Sequence, residues 1–186
     1  NVRLAVARAG NVIGGGDWAQ DRIVVDCVKA WSRSESVEIR SPEATRPWQH
    51  VLEPLSGYLN LGQVLFDDNS LNGEGLNFGP RAEQNHTVVE LLKNLSEYWY
   101  FGNMSDAFTV TDNIPFHEAG LLKLNCDKSL ALLQWQAALD YQDTIKFTSE
   151  WYYDHYKNGG DMTAKTIQQI GEYENIAKSK SLKWTA

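Results

Sequence analysis

Cysteine is scarce in this chain, with only Cys27 and Cys126 among 186 residues. They stand far apart, form no Cys-x-x-Cys pair and do not cluster with His50, His86, His117 or His155, so neither a metal centre nor a disulfide framework is expected. Both read as small buried hydrophobes of a cytosolic protein. Long apolar runs are missing too: nothing approaches the ~20 residues of a membrane helix, and the first residues lack the basic and apolar regions of a signal peptide. A cytoplasmic location with no membrane partner is therefore expected. Basic residues are outnumbered, 17 against 24, for a net charge of −7. That balance argues against a chain built to hold nucleic-acid phosphates or an anionic membrane, while leaving room for a small anion held by a few local arginines. Internal repeats and low-complexity linkers are also absent.

Large apolar side chains are plentiful. Seven tryptophans, eight tyrosines and six phenylalanines supply the area for a folded core. The length suits one domain, or one domain plus part of another. The chain opens on the alternation Val2, Leu4, Val6, as if within a strand, so a partner sheet outside these residues is expected.

Further along, Asp21 is placed to cap a helix carrying Val24, Cys27, Val28 and Trp31 on one face. Val37 and Ile39 alternate as a short strand. Pro54 suits the first turn of a helix whose expected buried stripe is Leu55, Tyr58, Leu59 and Leu65 or Phe66. Leu76 to Phe78 reads as a strand. Thr87-x-x-Glu90 has the spacing of a capping box ahead of Val88, Leu91, Leu92, Leu95 and Trp99. Thr109 to Thr111 and Leu121 to Leu124 read as short strands flanking a loop, Asp127 as the cap of a short helix, and Thr144 to Lys157 and Ala164 to Ala177 as longer helices. Helices outnumber strands, and the strands are too short and dispersed to close a barrel or sandwich. The expected fold class is a small mixed α/β lobe attached to something larger.

Four stretches carry a more specific message: Arg8-Ala-Gly-Asn11-Val-Ile-Gly14-Gly-Gly16-Asp17-Trp18-Ala-Gln-Asp21-Arg22, Thr45-Arg46-Pro47-Trp48-Gln49-His50-Val51, Asn77-Phe78-Gly79-Pro80 and His117-Glu118-Ala119. Together they resemble the C-terminal half of the CDP-glucose 4,6-dehydratases, within the extended short-chain dehydrogenase/reductases. Val25, Gly120 and Asn125 depart from that pattern. The resemblance implies that residues 1–18 are the terminal strand and turn of a Rossmann sheet and that residues 19–186 form a sugar-nucleotide-binding lobe with C-terminal helices. It implies NAD as cofactor, bound mainly by an N-terminal Rossmann half that carries a Gly-rich loop and a Tyr-x-x-x-Lys pair. It further implies CDP-glucose or a related nucleotide sugar as ligand, and dimers as a common state, with the Leu55 and Leu91 helices available to pack. In such enzymes hydride leaves C4 of the sugar for NAD, water is eliminated across C5 and C6, and the hydride returns to C6.

Residue by residue, Asn11 is expected to contact the sugar nucleotide near its diphosphate, with tying down its own turn as the alternative. Arg22 and Arg46 are the candidate diphosphate ligands, since a guanidinium offers a planar fork of donors. Trp48 and Gln49 are candidates to frame the base, with a place in the core as the alternative for Trp48; His50 reads as a structural histidine. Asn77, His117 and Glu118 are further binding candidates. No catalytic residue is expected in this chain. Gly14-Gly15-Gly16 is neither a dinucleotide nor a P-loop fingerprint and reads as a tight turn. Tyr153 and Lys157 match Tyr-x-x-x-Lys, but the i, i+4 spacing only places them on one helical face. Two other readings stay open: a non-catalytic sugar-nucleotide-binding module, and the same lobe of a related epimerase or dehydratase.

Overall fold

The computed structural model describes residues 2–81, 83–111 and 123–185. Strand β1 (Val6–Ala9) runs parallel to β6 (Gly75–Phe78), with Arg8 opposite Asn77. The short strands β2 (Val12–Ile13) and β5 (Gln49–His50) also pair in parallel, as do β3 (Val37–Ile39) and β8 (Phe108–Val110). Strand β4 (Thr45–Arg46) pairs antiparallel with β7 (His86–Thr87). These are four separate two-stranded ladders among the described residues, so helices carry most of the core.

Helix α1 (Ile23–Ser32) buries Val24, Cys27, Val28 and Trp31, the face expected from its periodicity. Its cap differs. Arg22 holds the N-cap position without a side-chain hydrogen bond, and Asp21, one residue earlier, sits in a left-handed conformation at φ 59°. Helix α3 (Val88–Glu97) begins with the complete box: Thr87 Oγ1 accepts from the Glu90 amide, and Glu90 accepts from the Thr87 amide. Leu91, Leu92 and Leu95 of α3 join Trp31, Trp48, Trp99 and Ile145 in the main core.

Helix α2 (Leu52–Asp67) corrects an expectation. Its buried residues are Glu53, Pro54, Gly57 and Leu61; of the expected stripe Leu65 is half-buried against the Leu61, Leu76 and Phe78 cluster, whereas Leu55, Tyr58, Leu59 and Phe66 are exposed. The reason is a close approach to β6: an ideal Cβ on Gly57 would lie 2.1 Å from the Phe78 ring, so only glycine lets the helix sit there. That contact turns the other apolar stripe outward.

A four-residue turn of helix, α4 (Met104–Ala107), leads into β8. Helix α5 (Asp127–Leu133) has Cys126 rather than Asp127 at its N-cap position, and the Asn125 side chain accepts from the Asp127 amide instead. Lys123 and Leu124 are not in a strand, and the rest of the strand expected at Leu121 to Leu124 lies outside the described residues. Helix α6 (Tyr141–Tyr153) is capped by Asp140 and ends in a π-helical turn over Asp154–Asn158; α7 (Met162–Ser179) is capped by Asp161 and folds back on α6. Both thiols are free. No helix among the described residues is long and apolar enough to cross a membrane.

Candidate functional site

The segment Asn11 to Asp17 leaves β1, forms β2 against β5 and turns through three glycines. It is the ridge between two adjoining hollows. One, of about 690 Å3, is lined by Asn11, Gly14, Arg22, Pro47, Lys123 and neighbours. The other, of about 520 Å3, is lined by Asn11, Asp17, Arg22, Arg40, Arg46, Trp48 and neighbours. Each falls in the roughly 300–1,000 Å3 range of small-molecule sites, so a ligand with two distinct parts fits the shape.

Three arginines meet in the second hollow. Arg46 is 7% exposed, and its Nη1 donates to the Thr45 carbonyl at 2.9 Å, so the guanidinium is oriented from within the protein. Arg22 and Arg40 are exposed at the rim. Asp17, Asp21, Asp26 and Glu38 line the same hollow. The Asp26 carboxyl is held above its ordinary range by partial burial and then by the charge of Asp21, with Lys29 opposing. A phosphate-bearing ligand therefore meets one oriented guanidinium, Arg46, and two exposed ones, with four carboxylates on the same lining, so it must pair with the arginines individually.

Trp48 has a double role. It is 5% exposed within the main core, donates Nε1–H to the His86 carbonyl at 3.2 Å and still presents an edge to the hollow. Gln49 is placed elsewhere: it is 1% exposed and its amide donates to the Phe78 carbonyl at 2.9 Å. Neighbours in extended backbone point to opposite sides, so Trp48 on the cleft commits Gln49 to the interior. His50 is buried with its Nδ1 accepting from the Leu52 amide, and burial pushes its pKa down to about 4. Asn77 donates to the Asn125 carbonyl at 2.8 Å and lines neither hollow. His117 and Glu118 lie outside the described residues. Sequence reasoning thus finds Asn11, Arg22, Arg46 and Trp48 together. It misses Arg40, which follows a short strand, and Lys123, which lies outside any described strand, because a lone charged residue looks like ordinary solvent-facing charge.

The glycine turn does not make a dinucleotide cradle. An ideal Cβ on Gly15 would lie 2.0 Å from the Trp151 indole, so the space its missing side chain leaves is filled by α6 rather than open to a phosphate. Tyr153 packs in edge contact with Trp99 and Tyr100, and the Lys157 ammonium lies 5.7 Å from the Trp99 ring centre. Neither lines the two hollows, so their Tyr-x-x-x-Lys spacing is absorbed by packing. No cluster of metal-ligating side chains occurs among the described residues.

No family model matches the chain. A CDP-glucose 4,6-dehydratase from Salmonella typhimurium is 40% identical over 172 residues, which is 92% of this chain and 47% of that protein. The match falls on its C-terminal portion, and the chain spans about half the length of this curated relative. Among solved structures, a UDP-glucuronic acid 4-epimerase from Bacillus cereus, bound to UDP-glucuronic acid and NAD, superposes with a TM-score of 0.69 at 15% identity. It covers 83% of this chain and 46% of that one. A dTDP-glucose 4,6-dehydratase from Bacillus anthracis in complex with NAD gives 0.64 at 15% identity, over 83% and 45% of the two chains. The fold is that of the corresponding portion of these proteins.

Proposed function

We propose that the chain, similar in sequence to the C-terminal portion of a CDP-glucose 4,6-dehydratase, is the substrate-binding part of such an NAD-dependent enzyme of the extended short-chain dehydrogenase/reductases. The observation that carries this reading is the convergence of Arg22, Arg40 and Arg46 with Asn11 and Trp48 on one hollow. Guanidiniums match the charge and planar geometry of a diphosphate, an indole offers apolar surface to a base, and the adjoining hollow leaves room for a hexose.

In this scheme the chain binds and orients. Energy from the nucleotide, remote from the reacting carbons, fixes the sugar in place. NAD supplies acceptance and return of hydride in the resembled enzymes; the residues described here do not fit that cofactor, since Trp151 fills the glycine turn, and its binding is assigned to a separate N-terminal half. The UDP-glucuronic acid and NAD named with one solved relative, and the NAD named with the other, support a nucleotide sugar and NAD as ligands of the complete protein. The exposed Val2, Leu4 and Val6, leading into and along a β1 that pairs only with β6 among the described residues, support docking of that half here. The proposed division is therefore residues 1–18 with the cofactor sheet and 19–186 as the substrate lobe.

Calorimetry on the protein with both halves present tests the reading. CDP-glucose is expected to bind more tightly than UDP- or dTDP-glucose, and Arg46→Ala to weaken binding at least tenfold, since a charge-assisted hydrogen bond contributes about 1.5–3 kcal/mol. Equal affinity for the three nucleotides removes the CDP assignment and leaves a lobe of a related epimerase or dehydratase.

A further inference from the structure

The ridge between the two hollows is a loop that would be floppy if left alone: Gly14, Gly15 and Gly16 followed by Asp17 and an exposed turn at Gln20 and Asp21. Helix α6 holds it at three points. The Trp151 indole lies flat under Gly15, so closely that any side chain there would collide. The Tyr152 hydroxyl donates to the Asp17 carbonyl at 2.8 Å. Trp18 closes the end of the loop, its ring 5.7 Å from Tyr152 and 5.0 Å from His155. The helix is itself braced by α7, through Trp151 Nε1–H to Thr166 at 2.9 Å and Lys165 to Asp154 at 2.9 Å. Asp17 lines both hollows, and Tyr152, wholly buried, stands behind the second.

We infer that Tyr152 is a positioning residue of the cleft: its hydroxyl pins the Asp17 carbonyl to α6, so the C-terminal helix pair fixes the wall against which the ligand is bound. The inference rests on the proposed nucleotide-sugar site for its effect on binding, and on geometry alone for its effect on the loop. Ring and hydroxyl have separable jobs. The ring fills the core beside Trp18 and Trp151, while the hydroxyl makes the one described hydrogen bond from α6 to the loop. Burial pushes the phenol's pKa upward, so it remains a neutral donor. A donor lost here frees the Asp17 carbonyl and leaves the glycines before it held by the Trp151 contact and by the Val51 amide on the Ile13 carbonyl.

The test is Tyr152→Phe in the protein with both halves, with Tyr153→Phe as control, because Tyr153 packs on the far side against Trp99 and Tyr100. Two readouts are taken: amide hydrogen exchange of residues 14–19, and the Kd for CDP-glucose. Tyr152→Phe is expected to raise exchange in that loop about tenfold with α3 and α7 unchanged, and to weaken CDP-glucose about fivefold, the equivalent of one hydrogen bond. Tyr153→Phe is expected to change neither. Unchanged loop exchange in Tyr152→Phe overturns the inference, as does an equal effect of the two variants. If the wild-type protein binds no nucleotide sugar, the proposed function falls and loop exchange alone decides the role of Tyr152.

Discussion

At the scale of single residues, two buried ionisable groups sit three positions apart behind the cleft and pull stability in opposite directions. His50 has its pKa pushed down to about 4 by burial. Its neutral form is the one the fold accepts, so its contribution is complete above the ordinary histidine value near 6.5 and is lost as pH falls toward 4. Glu53 has its pKa pushed up to about 7 by burial, against the opposing pull of the Leu139 and Ala138 amides, the Tyr173 hydroxyl and the nearby Lys180. Its protonated form is favoured in the fold, so its contribution is complete below 4.5 and falls as pH rises through 7. Between about 4.5 and 6.5 the two slopes oppose each other; from there to just above 7 only Glu53 remains. Urea unfolding followed by tryptophan fluorescence is therefore expected to show stability declining between about pH 6.5 and pH 7.5, with the decline abolished in Glu53→Gln. A Glu53→Gln variant that keeps the full decline would remove Glu53 as its source. Neither role is legible in sequence, because both depend on the depth to which β5 and the start of α2 are buried.

At the scale of elements, what could be read in advance was what is local. The Thr87 box is written in four consecutive residues, and its two hydrogen bonds form as the spacing requires. Thr87→Ala is expected to cost about 1 kcal/mol in urea or thermal unfolding; a loss under about 0.3 kcal/mol would mean the cap is redundant with tertiary packing. Helix α2 failed for a physical reason. It is apolar on two faces, Leu55, Leu59 and Phe66 on one, Pro54, Gly57 and Leu61 on the other. Periodicity finds both stripes and cannot say which has a partner. The Gly57–Phe78 approach settles it, and that contact joins residues from separate elements. Gln49 and Arg40 follow the same logic: once Trp48 takes the cleft side Gln49 must turn inward, and Arg40 reaches the cleft only because β3 pairs with β8 and ends there.

At the scale of the whole molecule, the outward stripe of α2 and the start of the chain carry apolar surface with no use inside these residues. Leu59 is 76% exposed, Phe66 83% and Leu4 66%. Isolated exposed leucines are ordinary, but residues 55, 59 and 66 recur within one angular sector of a single helix, and β1 has an unpaired edge among the described residues. The chain spans 47% of the Salmonella relative, and the proposed cofactor half is the natural cover. The consequence is measurable. A substitution at a truly solvent-facing leucine changes stability by about 0.5 kcal/mol or less, whereas a charge forced into a packed interface costs several. Leu59→Asp is therefore expected to lower the unfolding free energy of the protein with both halves by about 2–4 kcal/mol, with Ile167→Asp, 64% exposed on α7, as the neutral control. If both substitutions are equally harmless, the α2 stripe faces solvent in the complete protein.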